Sequence, residues 1–278
     1  AQPRPREHNP FSGGFPVSGV AVLGPLEGWV VSVDLWGTLL TYGDREAETE
    51  WRLREFATVL QEFGHLVPAQ RVREAVVGVR HDTLQRQRTT GEQPPVRDQV
   101  SAIVSSMGIT DDRVVDVLLI PHTHAVLRAC PQVMPGAHTA LWAIKTAGAR
   151  LVLTSNTLAT PMSVSQLILE EHGFGGIFDD TVFSSDIGLA KPRPEIFHAV
   201  ASRSGTTPAC VVHVGNDWRT DVLGALGAGC RALYFNPREK PSRPQALDIT
   251  HLDHLSEMLV RMCLRSPTGS SRPGERTT

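Results

Sequence analysis

The residues of this chain that can do chemistry follow apolar, strand-like segments. A carboxylate at such a position can attack an electrophile, a hydroxyl and an ammonium can hold an anionic group, and further acids can hold a divalent cation. If the segments are parallel strands, their carboxyl ends lie along one edge of a sheet, where ligands bind. The groups are Asp34 after VVSV, Ser155 and Asn156 after LVLT, Lys191 in GLAKPRPEIF, and Asp217 and Asp221 after VVHVGN.

The elements that must position these residues alternate between helix and strand from residue 136 onwards. Short apolar runs such as RLVLTSN and CVVHVGND are typical of buried strands, and the segments between them carry apolar residues at helical spacing. This alternation predicts an α/β fold: a doubly wound, Rossmann-like parallel sheet with helices on both faces. Residues 44–129 have helical spacing throughout, disturbed near Pro121, and predict an inserted all-α domain.

The chain is therefore divided into four parts. Residues 1–27, rich in Pro and Gly, are expected to form an irregular N-terminal arm. Residues 28–43 and 130–264 form the α/β core, and residues 44–129 form the helical domain. The composition of residues 265–278 predicts a disordered tail.

Composition restricts the classes of function. The net charge of −2 gives no reason to expect nucleic acid or a membrane as partner. The four cysteines lie far apart without a Cys-x-x-Cys pair, which favours free thiols in a reducing, cytoplasmic compartment over a zinc site or disulfides. No apolar segment suggests a signal peptide. The expected partner is a small anionic substrate, and a partner protein or a homodimer stays open.

Four segments, in order, resemble the motifs of the haloacid dehalogenase (HAD) superfamily over about residues 34–236. They lie in VVSVDLWGTLL, RLVLTSNT, GLAKPRPEIF and HVGNDWRTDVLGALGAG. The resemblance implies a Rossmann-like HAD core in which residues 44–129 form the type-1 helical cap. It also implies an enzyme whose aspartate forms a covalent intermediate.

The resemblance implies a role for each matching residue. Asp34 matches the nucleophile, Lys191 the lysine that neutralises it, and Ser155 the second-motif hydroxyl, with Thr154 as the alternative if the register shifts by one. The implied cofactor is Mg²⁺, and its candidate ligands are Asp34, the carbonyl of Trp36, Asn216, Asp217 and Asp221. The fourth-motif register stays open between Asn216 with Asp221 and Asp217 with Asp221. The candidate substrate contacts are Trp36, Thr38 and Asn156.

Trp36 departs from the family pattern, because family phosphatases carry a second acid two residues after the nucleophile. That acid protonates the leaving group and then activates water, a contribution of about 10²–10⁴-fold in rate. The indole N–H cannot replace it. Family dehalogenases also lack the second acid, but they usually lack the metal-binding acids, whereas this chain keeps Asp217 and Asp221.

Three functions follow from this mixture. The first is a HAD-like hydrolase of phosphatase or dehalogenase type, which uses Asp34 on a substrate whose leaving group needs no proton. The second is a non-hydrolytic biosynthetic enzyme that expels sulfate or phosphate from carbon, by elimination or ring closure, alone or with a partner protein. The third is a catalytically silent binding subunit.

Each candidate residue also has a purely structural interpretation. Asp34 and Ser155 stand where helix caps are common, and acids such as Asp217 and Asp221 stabilise a helix N-terminus. Three histidines of the helical domain are expected to be ordinary helix residues and not metal ligands: His81, His122 and His124. Three of its arginines are candidates to reach an anionic substrate: Arg45, Arg54 and Arg80.

Overall fold

The computed structural model describes residues 24–241 and 244–264. Within them, six parallel strands form one sheet. The strands are β1 (Val30–Val33), β2 (Arg150–Ser155), β3 (Asp180–Phe183), β4 (Val211–Gly215), β5 (Arg231–Phe235) and β6 (Leu247–Ile249). Their spatial order is β3-β2-β1-β4-β5-β6, and every neighbouring pair is parallel.

The strand order changes direction at β1. The chain moves outwards from β1 to β2 and β3, and then returns to the other side of β1 for β4, β5 and β6. Such a reversal leaves a crevice at the carboxyl ends of the two central strands, here β1 and β4, where open α/β sheets bind ligands. Asp34 follows β1 directly, and Asn216 follows β4.

The segment between β1 and β2 forms a helical cap. Its helices are α1 (Arg45–Glu62), α2 (Ala69–Thr90), α3 (Val96–Ser106) and α4 (Asp112–His124), followed by a 3₁₀ turn at Ala125–Arg128. They bury an apolar cluster of their own, which includes Phe56, Val76, Ile103 and Leu118. Pro121 lies inside α4, which continues to His124 before the tighter turn begins.

The cap joins the core through two adjacent chain segments. The amide of Thr41 donates to the Gln132 carbonyl over 2.8 Å, and the amide of Asp44 donates to the Ala129 carbonyl over 2.6 Å. Gly43 has a φ of +63°, and a Cβ there would collide with the Ala129 carbonyl, so glycine allows this close approach. The Asp44 carboxylate then starts α1 by accepting from the amides of Glu46 and Ala47.

Helices cover both faces of the sheet. They are α5 (Ala137–Thr146), α6 (Met162–Glu171), α7 (Ser184–Ile187), α8 (Pro194–Arg203), α9 (Gly224–Gly227) and α10 (Leu255–Leu264). On one face of the sheet, Val31 and Val33 of β1 pack against residues of α5 and α10. On the other face, Val30 packs against residues of α8 and α9. The predicted doubly wound α/β fold is therefore confirmed.

One face of the sheet carries a buried polar row across three strands. The Ser32 hydroxyl donates to Thr154 Oγ1 over 2.8 Å and lies 2.8 Å from His213 Nδ1. The three side chains come from β1, β2 and β4, and each is fully or almost fully buried. Because a buried polar group is costly unless it is hydrogen-bonded, these three are stable there only together.

The structure adds elements that sequence periodicity did not predict. β6 is a three-residue edge strand, and α10 closes the core with Leu255, Leu259 and Cys263. The predicted helix DVLGALGAG begins within a wide π-type turn at Trp218–Leu223, before α9. The predicted tail, 265–278, and all but the end of the predicted arm, 1–27, lie outside the described residues. No helix in the described ranges has both the length and the apolar character needed to cross a membrane.

Candidate active site

Asp34 lies at the carboxyl end of β1, where the sheet order reverses. It is 6% exposed, and its backbone amide donates to the Val214 carbonyl of β4 over 2.9 Å. The following loop turns sharply at Gly37, whose φ is +79°, and a Cβ there would collide with the Asn216 amide group. Glycine therefore lets the first-motif loop lie directly on the fourth-motif loop.

Lys191 is fully buried beside Asp34. Its Nζ atom lies 2.6 Å from Asp34 Oδ1, 2.7 Å from Asp221 Oδ1 and 2.9 Å from the Thr154 carbonyl oxygen. An ammonium has three N–H donors, and these three acceptors match that number. The structure thus brings together Asp34, Lys191 and Asp221, residues far apart in sequence.

Asn156 fixes the backbone of Lys191. Its Nδ2 donates to the Lys191 carbonyl over 2.9 Å, and its Oδ1 accepts from the Lys191 amide over 2.8 Å. Predicted as a substrate contact, Asn156 lines the central cavity, but both ends of its amide group hold the Lys191 loop. Its visible role is to position the ammonium.

The buried charges of this cluster do not cancel. Two carboxylates share one ammonium, so when Asp34 and Asp221 are both ionised the cluster carries one net negative charge. Burial raises the pKa of Asp34 to about 7, against the opposing effect of Lys191, and the charge of Asp221 adds to the rise. Burial would also raise the pKa of Asp221, but Lys191 and His213 outweigh it and hold that pKa well below its usual range. Burial disfavours the Lys191 cation, yet Asp221 and Asp34 raise its pKa.

Ser155 is the second-motif residue with a free hydroxyl. Its Oγ atom is buried and has no hydrogen-bond partner among the described residues, whereas Thr154 Oγ1 accepts from Ser32. A buried hydroxyl without a partner is uncommon and calls for a ligand or a water. Of the two alternatives that the sequence left open, Ser155 is thus the residue with hydrogen-bonding capacity to spare.

The two open registers of the fourth motif differ in what their side chains contact. Thr38 Oγ1 lies 3.4 Å from both Asp34 Oδ2 and Asn216 Oδ1, so Asn216 sits across the Thr38 hydroxyl from the nucleophile candidate. The Asp217 carboxylate instead accepts from the amides of Arg219 and Thr220 and forms a 2.6 Å ion pair with Arg88 of the cap.

Asp221 is the third charged residue of the cluster, and it is held by two further polar groups. Its Oδ2 accepts from the Asp217 amide over 2.8 Å, and its Oδ1 lies 3.4 Å from His213 Nε2. His213 belongs to the buried polar row, which therefore connects Asp221 to the central strands. Burial lowers the pKa of His213, against the effect of Asp221, so the ring stays neutral in the core.

A cavity of about 420 Å³ lies between this cluster and the cap. We call its lower surface, formed by Asp34, Lys191, Asn216 and Asp221, the core wall; the fully buried Ser155 is not part of the lining. We call its upper surface the cap wall, formed by Arg45, Glu48, Arg52 and Arg80. Trp36 lines the cavity beside Asp34, is half-buried, and pairs with Leu40 through a backbone bridge.

Two of the three arginines proposed from sequence line the cavity, and the third does not. Arg45 and Arg80 belong to the cap wall, whereas Arg54 is exposed and is absent from the lining. Arg52 was missed. It stands four residues after Glu48 and four before Phe56 on the buried face of α1, so charged residues continuing an apolar stripe were the signal that could have found it.

Polar contacts hold the cap against the core beside the cavity. The Leu158 carbonyl accepts from Gln93 Nε2 over 2.6 Å and from Gln99 Nε2 over 3.0 Å. The Ala190 amide donates to the Gly91 carbonyl over 2.9 Å, immediately before Lys191. The cap thus contacts the second-motif and third-motif loops directly, and its position and that of the core wall are coupled.

The histidines of the cap form no metal site in the structure. His81 lines the cavity, His122 is buried with its Nε2 3.3 Å from Gln99 Oε1, and His124 Nδ1 lies 3.1 Å from the Ile120 carbonyl. Across residues 24–241 and 244–264, no group of three or more His, Cys, Asp or Glu side chains is arranged to hold a metal ion. The four cysteines are described and are free thiols.

The core wall nevertheless has the donor chemistry that Mg²⁺ requires. The candidate ligand atoms are all oxygens: carboxylates of Asp34 and Asp221, the Asn216 amide and the Trp36 carbonyl. When Asp34 and Asp221 are both ionised, the net negative charge of the cluster also favours a cation. These residues fit magnesium with several ligand places left to water, as that ion prefers. For Asp217, binding would require its carboxylate to leave Arg88 and the helix start.

Comparisons with known proteins agree with this geometry. A family model described as haloacid dehalogenase-like hydrolase matches residues 30–229. The glyceraldehyde 3-phosphate phosphatase of Methanothermobacter thermautotrophicus is 31% identical over 140 residues, which are 49% of this chain and 61% of that protein. Pyrimidine 5'-nucleotidase YjjG of Escherichia coli is 32% identical over 133 residues, 46% of this chain and 57% of that protein. The chain thus spans less than two thirds of either relative.

Among solved structures, a 2-haloacid dehalogenase from Pseudomonas syringae pv. Tomato DC3000 has a similar fold. The TM-score is 0.61, at 20% sequence identity, and the match covers 84% of this chain and 99% of the other.

Proposed function

Because the chain belongs to the haloacid dehalogenase-like hydrolase family, as its motifs indicated, we propose that it uses Asp34 to remove a phosphoryl group from a small anionic ester. The observation that carries this proposal is the buried contact of Lys191 with both Asp34 and Asp221 on one wall of the cavity. A nucleophile and a neutralising cation thus face one cavity, and the family resemblance adds the Ser155 hydroxyl, which is buried without a partner among the described residues.

In the first step, Lys191 holds the phosphoryl oxygens, with the Ser155 hydroxyl as the further donor that the family resemblance implies, while an Asp34 carboxylate oxygen attacks phosphorus. The bond from phosphorus to the ester oxygen breaks, and its electron pair leaves with the alkoxide or aryloxide. Trp36 offers no acid at the family position, so the leaving group departs without a proton from there. Leaving groups of low basicity are therefore the expected substrates.

In the second step, water attacks the phosphorus of the aspartyl phosphate. The bond to the Asp34 oxygen breaks, its electron pair returns to the carboxylate, and the proton lost by water goes to the released phosphate. Lys191 stabilises the carboxylate that forms, because its ammonium already contacts Asp34 in the resting protein. When bound by Asp34, Asp221, Asn216 and the Trp36 carbonyl, Mg²⁺ would neutralise charge on the transferred phosphoryl group.

The test is a quenched single turnover of 4-nitrophenyl phosphate in the presence of Mg²⁺. Mass spectrometry of the peptide that contains Asp34 should show the mass gain of one phosphoryl group, and Asp34→Asn should remove both the adduct and turnover. Asp44→Asn is the matched control, because Asp44 caps α1 away from the cavity and Asn caps equally well. Turnover without an adduct, or an Asp34→Asn variant that remains active, would refute the proposal.

The same assay separates the other two functions. A biosynthetic enzyme that expels sulfate or phosphate from carbon would not hydrolyse generic esters but would act on one substrate in an Asp34-dependent way. A silent binding subunit would be unaffected by Asp34→Asn in every assay. Hydrolysis of several unrelated aryl phosphates by the wild-type chain with metal alone supports the hydrolase.

A further inference from the structure

The cap wall contains more positive charge than it can pair. Glu48 Oε1 accepts from Arg52 Nη2 over 2.6 Å and from Arg80 Nη2 over 3.0 Å, so one carboxylate oxygen serves two guanidinium groups. Arg45 is a third cation of this wall, and its guanidinium stacks on the Tyr42 ring at 4.4 Å. Among the described residues that form the wall, three arginines thus face one acid.

The ion pair with Glu48 satisfies only part of the hydrogen-bonding capacity of Arg52. Arg52 is 1% exposed and lines the cavity, yet its Nε and Nη1 atoms are buried without a hydrogen-bond partner among the described residues. Its Nη2 has a further, weak contact with the His122 carbonyl at 3.4 Å. A buried donor without an acceptor is costly, and charged donors are the most costly.

The neighbours of this cluster add no compensating negative charge. Burial, together with the charges of Arg52 and Arg45, lowers the pKa of Arg80 to about 10 despite the opposing effect of Glu48. Burial, Arg52 and Arg80 likewise hold the pKa of His122 well below its usual value, so that ring remains neutral behind the wall. The remaining arginine on the cavity, Arg88, is already paired with Asp217.

We propose that Arg52 and Arg80, held by Glu48, bind a second oxyanion of the substrate, a carboxylate or a second phosphate, at the end remote from Asp34. This rests on the proposed function only in assigning the reacting end to Asp34. Guanidinium groups suit such oxyanions because they are planar, permanently charged and offer several donors in a fixed geometry. The cavity of about 420 Å³ fits a small bifunctional molecule.

The test measures binding without turnover, in the Asp34→Asn variant, with three aryl phosphates. They carry a carboxylate, a second phosphate or an uncharged carboxamide on the ring, at the meta or para position. Calorimetry should show the anionic probes binding about ten- to a hundredfold more tightly than the carboxamide, as expected for hydrogen bonds to charged groups. The anion that gains more identifies which of the two oxyanions the site takes.

Arg80→Gln on the same background should bring the dissociation constants of the charged and uncharged probes together. Arg80 is preferred to Arg52 because its side chain is partly exposed and less critical to packing, and circular dichroism checks the fold. Arg54→Gln is the matched control, since Arg54 lies on cap helix α1 but outside the cavity. This variant should keep the preference for the charged probes. Equal binding of all three probes, or a preference that survives Arg80→Gln, would overturn the subsite.

Failure of this proposal is distinguishable from failure of the proposed function. The subsite is measured as a ratio of dissociation constants in a variant that cannot turn over. The reaction is measured as phosphorylation of Asp34 in the wild-type chain. A charged-probe preference without an Asp34 adduct supports the subsite and refutes the reaction, and an adduct without the preference does the reverse.

Discussion

The two walls of the cavity treat charge in opposite ways. On the core wall, the Lys191 ammonium has three acceptors, and each carboxylate that it touches is fixed by further bonds. On the cap wall, Glu48 is shared between two guanidinium groups, and two donors of Arg52 have no partner within the described chain. The core wall is thus organised before any substrate arrives, whereas the cap wall would be completed by the oxyanion proposed above.

This difference follows from the elements that form each wall. In the core wall, Asp34 and Asn216 directly follow β1 and β4, each of which is hydrogen-bonded to a strand on both sides, and Lys191 reaches them from the loop after α7. The cap wall stands on α1 and α2, joined to the core by the segments around Thr41 and Ala129 and by polar loop contacts. We expect a reacting centre fixed in the sheet, under a separately anchored cap, to leave the selection of substrate to the cap.

The largest expected effect comes from Lys191→Ala, which removes the central cation of the core wall. It leaves Asp34 and Asp221 buried together without their cation, and breaking such a pair costs about 3–5 kcal/mol. We expect turnover to be lost and the free energy of unfolding, measured with urea, to fall by about that amount. Lys145→Ala is the control, because the Lys145–Asp179 ion pair is partly exposed and worth about 1 kcal/mol or less.

A Lys191→Ala variant as stable as the wild type would show that the core wall does not depend on its ammonium. The contrast between the two walls would then be wrong. Retained turnover in a folded variant would remove Lys191 from the reaction itself.

The second prediction concerns Trp36, beside the nucleophile. Because no acid stands there, wild-type rates should depend strongly on leaving-group pKa, and activated aryl phosphates should react far faster than alkyl phosphates. Trp36→Asp should raise alkyl phosphatase turnover by up to about 10²-fold, a typical contribution of general acid catalysis. Its folding is checked first, since replacing a half-buried indole leaves a cavity.

Similar wild-type rates for alkyl and aryl phosphates would contradict this prediction and point to another proton donor. Tyr42 is then the residue to test by Tyr42→Phe, because it lines the cavity and its hydroxyl contacts Asn216. Burial and the nearby Asp34 charge raise the pKa of that phenol, so it would be a weak acid toward good leaving groups.

The third prediction uses His122, which lies behind the cap wall and faces Arg52, Arg80 and the uncharged Gln99. Its pKa is lowered in the folded protein, whereas the unfolded chain takes up a proton below about pH 6.5. The contribution of neutral His122 to the free energy of unfolding is therefore fully present above about pH 6.5. Below that pH it falls by up to about 1.4 kcal/mol per pH unit.

Urea unfolding as a function of pH measures this effect by comparing slopes. Buried His213 acts in the same direction, so the difference between the wild type and His122→Gln isolates His122. An identical pH slope in the two proteins would mean that the ring accepts a proton in place. The cap wall would then be less crowded with positive charge than the structure indicates.

The smallest expected effect comes from Asp217→Asn, at an ion pair between the core and the cap. Asn still caps the turn at Trp218–Leu223, so only the partly exposed pair with Arg88 is lost, at about 1 kcal/mol or less. Calorimetry should show Mg²⁺ affinity unchanged in Asp217→Asn and weakened in Asp221→Asn. The opposite ranking would assign the metal to Asp217 and would require the cap contact to open on metal binding.

The part of the site at strand ends was accessible from sequence, because Asp34 directly follows β1 and Ser155 ends β2. The rule that parallel strands end at one edge suffices for these two residues, whereas Lys191 follows α7 and Asp221 lies within the turn at Trp218–Leu223. The local sequence could not distinguish Asn216 from Asp217, because the choice depends on how a loop turns against Gly37 and Arg88. The edge strand β6 is too short for a periodic signal, while the apolar spacing of α10 was readable and was overlooked.

The cap wall was harder to predict for a physical reason. A helix presents charged residues to solvent along most of its surface, so Arg54 and Arg52 look alike until the packing of α1 against α2 and α4 is known. Only the spacing of Glu48, Arg52 and Phe56 marks the buried stripe, and a single charged pair in such a stripe is a weak signal. Which cations meet above Asp34 is decided by tertiary contacts.

The buried polar row of Ser32, Thr154 and His213 affects how strictly the register of the central strands is fixed during folding. Side chains alternate between the two faces of a sheet along each strand. A slip of one residue in β1, β2 or β4 would therefore move one polar group to the opposite, apolar face and leave the other two without their hydrogen-bond partner. The row therefore acts as a register lock at the centre of the sheet. It penalises misaligned pairings during folding and so helps to set the position of Asp34 at the end of β1.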